Sequence, residues 1–92
     1  MLQLPRELTY RQARNCLVQL QPQVQAFDGA RVPVDASAVE VFDSAALAVL
    51  LACRRTAQAV DKQLVVLGLP QGLQSMAALY GVDGLLNDQG AS

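Results

Sequence analysis

The sequence contains no histidine and no tryptophan, and it has only two cysteines, Cys16 and Cys53. Histidine is the commonest metal ligand and general base, so its absence argues against zinc sites and catalytic triads. The cysteines occur singly rather than as a Cys-x-x-Cys pair, and we expect both to be small core residues in a reducing compartment. No Gly-x-x-x-x-Gly-Lys phosphate loop occurs either. We therefore expect no catalytic residue, metal, cofactor or small-molecule substrate.

Charge is sparse and balanced. Seven basic and eight acidic residues give a formal net charge of −1, and the basic residues are scattered. No basic stripe could neutralise a run of phosphates, so nucleic acid is a poor candidate partner. The longest apolar run, Ala45–Cys53, is far shorter than the roughly 20 residues that span a bilayer. The sequence therefore predicts a cytoplasmic protein without direct membrane insertion.

The length of 92 residues predicts one domain over 1–92, with its core in 2–86 and a disordered tail at 87–92. Hydrophobic residues make up 52% of the chain but aromatic residues only 4%. The core must therefore be built from Val, Leu and Ala, which suits helices packed on a sheet.

The first half of the chain predicts two strands and one helix. Residues 1–5 read as a short edge strand that ends at Pro5. Thr9 and Gln12 have capping-box spacing, and apolar residues then recur at helical intervals from Tyr10 to Leu20, which predicts a helix that Pro22 ends. A strand follows over 31–37, where Pro33 favours an edge position although an α/β order prefers this strand in the centre.

The second half predicts a helix from Ser44, a strand over Gln63–Leu69 and a helix after Pro70 that ends at Gly81. The buried stripe of this last helix is expected to contain Leu73, Met76, Ala77 and Tyr80. A short strand or turn is expected around Leu85 and Leu86. The alternating order predicts an α/β fold, with helices packed against a small sheet.

Asp43 and Ser44 interrupt the most sharply patterned stretch, "VEVFDSAALAVLLACRR". Either side chain can cap the helix that follows, since a side-chain oxygen satisfies backbone N–H groups in the first turn. One cap needs only one residue, which leaves the other free to face a partner at the positive end of the helix dipole. The pair is therefore a cap, a binding site or both.

This strand-to-helix turn resembles that of the STAS domain family (sulfate transporter and anti-sigma factor antagonist), in which an Asp-Ser/Thr-x-Gly-Leu-like motif enters a helix. The motif is present here as Asp43-Ser44-Ala45-Ala46-Leu47. The segment "VVLGLPQGLQSMAALYGV" is similar to the family's last strand, connecting loop and helix, and the resemblance covers about Leu2 to Leu86. It implies a STAS-like fold, with a small mixed sheet and helices packed against it.

Within this family, "LAVLLA" and "MAALYGV" look most like the MlaB-type STAS subunit of the Mla phospholipid ABC transporter. The resemblance implies a non-catalytic subunit that supports the cytosolic ATPase, and through it the permease, in phospholipid trafficking and outer-membrane lipid asymmetry. Such a subunit is cytoplasmic and peripheral to the inner membrane. The hydroxyl residue after the Asp helps to contact the ATPase, and here it is Ser44. The expected partner-binding residues are Phe42, Asp43, Ser44, Ala45 and Leu47.

The chain departs from the wider family at the position that anti-sigma factor antagonists phosphorylate. That serine is the second residue after the Asp, and here it is Ala45, which cannot accept a phosphoryl group. The alternative interpretation is therefore an antagonist-like regulatory protein that binds a kinase-fold partner without the usual phosphoserine. A small enzyme is a third class, but the acidic residues form no recognisable catalytic pair.

Overall fold

The computed structural model of the chain describes residues 2–86, and the predicted tail at 87–92 lies outside them. Its five strands and four helices run in the order β1 (Leu2–Gln3), β2 (Glu7–Leu8), α1 (Tyr10–Ala26), β3 (Arg31–Asp35), β4 (Val41–Phe42), α2 (Ser44–Ala59), β5 (Gln63–Leu67), α3 (Gln71–Leu79) and α4 (Asp83–Leu86). The predicted α/β class is confirmed.

Two small parallel sheets organise these elements. β3 lies between β1 and β5, while β2 and β4 form a separate pair. Parallel neighbours need crossover connections, which α1 and α2 provide between the strands of the larger sheet. The predicted edge strand is β1, and it ends at Gln3 rather than at Pro5.

Pro33 lies in the central strand, as the α/β order requires and against its own preference for an edge. Ala36, just after β3, donates its N–H to Leu67 of β5, so the even-numbered residues of β3 bond to β5. Because successive residues of a strand bond to opposite sides, the nitrogen of Pro33 faces β1. β1 pairs only with Val34 and Asp35. The N–H that Pro33 lacks would therefore point past the residues that pair with β1, so no hydrogen bond between β1 and β3 is lost.

The prediction that Pro22 ends the first helix is wrong, because α1 continues through it to Ala26. A proline in a helix interior costs roughly 3 kcal/mol. Val24 is fully buried and Phe27 packs against the core, and burying two such side chains offsets a cost of that size. Tertiary packing thus overrides the local signal.

The capping box at Thr9 is also not formed. Thr9 is the N-cap of α1, as its position predicts, but its side chain makes no cap hydrogen bond. Its hydroxyl donates instead to the Gln12 side chain at 2.7 Å. The start of the helix is therefore predicted correctly, whereas its cap must come from elsewhere in the fold.

α1 and α2 pack side by side and run in the same direction. The Lys62 ammonium, just after α2, donates to the carbonyls of Val24, Gln25 and Phe27 at the end of α1. The Val24 carbonyl also accepts the backbone N–H of Phe27, the C-cap residue of α1. A cation is favourable at this end of the helix dipole. In the middle, Gln21 Nε2 donates to Thr56 Oγ1 at 3.0 Å. Polar contacts thus hold the two helices together outside the core.

The end of α3 follows a local rule. Gly81 has φ 72° and stands at C′ of α3, where the N–H of Val82 reaches the carbonyl of Ala77 in a Schellman arrangement. Leu73 and Ala77 are buried and Met76 is half-buried, but Tyr80 is exposed, so its predicted place in the buried stripe is wrong. Leu85 and Leu86 belong to the helical turn α4 rather than to a strand.

The core is aliphatic, as the composition predicts. Its most completely buried side chains include Leu8, Leu50, Leu73 and Val24. Cys16 and Cys53 are free and buried in this core, in the place predicted for them. The core thus joins α1, α2 and α3 to the strands beneath them.

Candidate functional site

Asp43 is the N-cap of α2 and also contacts α1. Its Oδ1 atom accepts the Ala45 N–H at 2.8 Å, which is the expected cap of the first turn. Its Oδ2 atom accepts the N–H of Tyr10, the first residue of α1, at 3.1 Å. One carboxylate therefore holds two helix N-termini together and supplies the cap that Thr9 does not.

Ser44 is the first residue of α2 and is exposed. No side-chain hydrogen bond within residues 2–86 involves its hydroxyl. Asp43 thus takes the capping role, and Ser44 presents a free hydroxyl at the positive end of the α2 dipole. Of the two candidate caps, the structure therefore uses Asp43, and the Ser44 side chain is left accessible.

Phe42 supports this turn from the side of α3. Its half-buried ring packs against Gly72, where an added Cβ atom would lie 2.7 Å from the Phe42 Cζ atom. Only glycine lets the first turn of α3 come this close. The contact holds the turn from β4 into α2 against α3, and Ser44 of this turn is exposed.

Ala45 and Leu47 differ sharply in accessibility. Ala45 is half-buried, whereas Leu47 is only 2% exposed and belongs to the core. A partner would not reach Leu47 in this conformation. We therefore place Leu47 beneath the candidate surface, as packing support rather than as a contact residue.

The family model described as "Mlab, STAS domain" matches residues 1–87, nearly the whole chain. The chain belongs to the STAS domain family, of the MlaB type. No curated protein matches it. The match confirms the resemblance that Asp43-Ser44-Ala45-Ala46-Leu47 indicates, and STAS domains are in general non-catalytic.

Two exposed residues of this STAS domain belong to the segments that meet at Asp43, and they were not predicted as site residues. Tyr10 is 71% exposed and is held next to Asp43 by its backbone hydrogen bond. Val41 is 48% exposed and precedes the turn by two residues. We call Tyr10, Val41, Phe42, Ser44 and Ala45 together the Ser44 surface.

The helical periodicity of the sequence includes Tyr10 in the apolar stripe of α1, but its side chain is exposed. The buried residues of α1 are Cys16, Leu20 and Val24. Tyr10 then lies at the margin of the stripe, since each residue turns the helix by about 100°.

Burial and local hydrogen bonds shift the pKa of three ionisable groups elsewhere in this STAS domain. Burial raises the pKa of Cys16, and burial together with the nearby Cys16 thiol raises the pKa of Cys53 to about 11. Thiolate, the nucleophilic form, is therefore scarce at neutral pH. At the end of β3, hydrogen bonds from the Ser37 hydroxyl and backbone N–H lower the pKa of the exposed Asp35 carboxyl.

Two further features of the described part of the chain bear on binding. Among residues 2–86, no group of three or more His, Cys, Asp or Glu side chains could hold a metal ion. Within the same residues, no helix combines the length and the apolar character needed to cross a bilayer.

Proposed function

We propose that this STAS domain is a non-catalytic subunit that binds the cytosolic ATPase of a Mla-type ABC transporter through the Ser44 surface. Through the ATPase it associates with the permease, in the cytoplasm and peripheral to the inner membrane. Its role is to support the ATPase in phospholipid trafficking and outer-membrane lipid asymmetry. The observation that carries the proposal is that Ser44 is exposed while Asp43 is occupied in holding α1 and α2.

The composition of the Ser44 surface supports a protein partner. Tyr10 and Val41 are exposed apolar or aromatic side chains, and tyrosine is enriched among residues that dominate binding energy. Ser44 and Ala45 are small, so a partner can approach the first turn of α2 closely. At the rim, Arg6 Nε and Glu40 Oε1 form an exposed ion pair at 2.9 Å. An apolar centre with a polar rim is the usual anatomy of an interface.

The surface is also rigid before binding. Asp43 fixes the two helix starts, and the contact of Phe42 with Gly72 adds α3. A pre-organised surface loses little conformational entropy on association, so more of the contact energy contributes to affinity. This rigidity favours a stable docking subunit.

The alternative function is an antagonist-like regulator that binds a kinase-fold anti-sigma partner through the same surface. Ala45 occupies the position that those proteins phosphorylate, so such a regulator would lack the usual switch. We favour the transporter subunit because the matching family model is of the MlaB type.

The experiment is affinity capture with the tagged chain from native cytosol and solubilised membranes, with partners identified by mass spectrometry. Wild type is compared with Ser44→Arg and with the control Ala59→Arg, an exposed residue of the same helix roughly 22 Å away along its axis. An arginine at the start of α2 costs only about 0.3–1 kcal/mol through the helix dipole, so the variant is expected to fold. Thermal melts check this.

We expect wild type and Ala59→Arg to recover an ABC ATPase with its permease, and Ser44→Arg to recover neither. Recovery of a kinase-fold anti-sigma partner instead would establish the alternative function. An ATPase that binds Ser44→Arg as well as wild type would remove Ser44 from the interface while leaving the transporter assignment in place.

A further inference from the structure

The Ser44 surface continues along the outer side of α2. Residues three or four positions apart share one side of a helix, because each residue turns it by about 100°. On the outer side of α2 these residues are Ser44, Ala48, Leu51 and Arg55. Leu51 is half-buried and the other three are exposed. The family motif therefore lies at one end of a line that extends over about 16 Å of helix.

Two hydrogen bonds fix the register between α1 and α2. Tyr10 donates its N–H to Asp43, 33 residues further along the chain. Gln21 donates to Thr56, 35 residues further along. Because the helices run in the same direction and the two separations are nearly equal, residues of α1 and α2 can be matched level by level along the pair.

Arg14 and Val18 lie on the side of α1 that borders α2. They precede Gln21 by seven and three residues, and these spacings keep side chains on one side of a helix. Both are exposed, Val18 to 62%. In the register of the two helices, Arg14 is level with Ala48.

Two cations enclose an apolar centre on the side that the two helices share. Arg55 lies seven residues beyond Ala48, which places it about 10 Å from the level of Arg14 along the helix axis. Val18 and Leu51 lie between these two levels. We call Arg14, Val18, Ala48, Leu51 and Arg55 together the α1–α2 face.

The charge on the α1–α2 face has one sign. Neither α1 nor α2 contains Asp or Glu, whereas each helix carries two arginines. Asp43 and Asp61, the acidic residues nearest in sequence to α2, flank its two ends. Among residues 2–86, neither Arg14 nor Arg55 takes part in a salt bridge. A chain of net charge −1 thus presents a cationic strip next to its family motif, and the complement of such a strip is acidic.

We infer that the α1–α2 face binds an acidic amphipathic helix of the ATPase, with carboxylates against Arg14 and Arg55. This binding mode rests on the proposed function and deepens it, because it names the kind of partner segment. A third helix can pack its side-chain ridge into the groove between two parallel helices, and the small Ala48 side chain allows a close approach.

The spacing of the face determines the pattern of the partner helix. Its two carboxylates are two turns apart, at positions i and i+7, because the two arginines are about 10 Å apart along the axis. Apolar residues at i+3 or i+4 then contact Val18 and Leu51. Exposed ion pairs contribute little to affinity, so the apolar centre supplies most of it, and the cations select the acidic partner.

The first test is photo-cross-linking with p-benzoylphenylalanine in place of Ala48 in the tagged full chain. The chain is mixed with native cytosol and solubilised membranes, and the cross-linked peptides are sequenced by mass spectrometry. The control carries the same group in place of Ala30, an exposed residue between α1 and β3. We expect the Ala48 position alone to cross-link to a segment of the ATPase that has Asp or Glu at positions i and i+7.

The second test is charge reversal, with binding of the captured ATPase measured at low salt. Arg14→Glu and Arg55→Glu should each weaken binding about tenfold, because each opposes like charges. Arg31→Glu is the matched control and should bind as wild type does. Val32 and Val34 are buried in the core, so Arg31 lies on the opposite side of the sheet. Thermal melts check that each variant is folded.

A compensating change in the ATPase completes the test. Replacement of the matching acidic residue of the cross-linked segment by arginine should restore binding to Arg55→Glu. Equal binding of Arg14→Glu, Arg55→Glu and Arg31→Glu would overturn this inference while the transporter assignment stands. A cross-linked segment without the two acidic residues, or cross-linking of Ala48 to lipid or nucleic acid, would also overturn it. Recovery of no ATPase by wild type would instead refute the proposed function, and this binding mode with it.

Discussion

Replacement of Asp43 by alanine tests the central feature of the site, a single carboxylate that serves two helices. The change removes the N-cap of α2, which costs about 1 kcal/mol. It also removes a negative charge from the N-termini of α1 and α2, at about 0.3–1 kcal/mol each. The Tyr10 N–H lies at the surface, where water can replace the lost acceptor. The expected loss is therefore about 2 kcal/mol in the free energy of unfolding.

The assay is urea unfolding followed by far-UV circular dichroism at neutral pH. A loss of about 2 kcal/mol lowers the midpoint by roughly 1–2 M urea in a domain of this size. Asp43→Asn keeps one acceptor for the Ala45 N–H but loses the charge, so we expect about half the effect. Asp28→Ala, at an exposed site between α1 and β3, is the control and should stay within about 0.5 kcal/mol of wild type.

Amide hydrogen exchange locates the effect. Both Tyr10 and Ala45 amides should exchange faster in Asp43→Ala, whereas the Ala45 amide should remain protected in Asp43→Asn. The reasoning is refuted if Asp43→Ala loses less than about 0.5 kcal/mol. Unchanged exchange at Tyr10 would show that Asp43 serves α2 alone.

Two further predictions concern the contacts of Lys62 with the end of α1 and the buried thiol of Cys53. Lys62→Met removes the donor to three carbonyls at the end of α1 and should lower the free energy of unfolding in urea by about 2 kcal/mol. The control Arg55→Met removes an exposed cation and should cost little. Equal losses in the two variants would contradict a capping role for Lys62. The pKa of the Cys53 thiol is 9.0 in its ordinary state and is raised to about 11 in the native protein. Its contribution to the free energy of unfolding is therefore fully present below pH 9.0 and is lost as the pH rises towards about 11. Urea unfolding at neutral pH and at about pH 10.5 should show a loss of roughly 2 kcal/mol that Cys53→Ala lacks. An equal loss in that variant would assign the effect to other groups.

Local signals predicted the elements whose ends depend on neighbouring residues. The Asp43-Ser44 pair indicated the start of α2, because an N-cap acts on backbone groups two or three residues away. Gly81 indicated the end of α3, because a left-handed C′ residue favours glycine. The same locality made the family motif readable, and the family match confirms it.

Long-range contacts decided what these signals could not. Pro22 remains inside α1 because Val24 and Phe27 pack against residues far along the chain. The N–H of Tyr10 finds its acceptor in Asp43, which lies 33 residues further along the chain. β4 pairs with β2 rather than with the larger sheet, a choice of partner that a two-residue strand does not encode.

The sequence by itself thus determined the α/β class, the aliphatic core and the motif that presents Ser44, since composition, periodicity and capping act over a few residues. Only the tertiary structure decided that Asp43 and Lys62 bind α1 to α2 at opposite ends, and that β3, with Pro33, lies between β1 and β5. The reason is physical. A carboxylate or an ammonium bonds whichever backbone groups the folded chain brings within about 3 Å, and sequence separation places no limit on that distance.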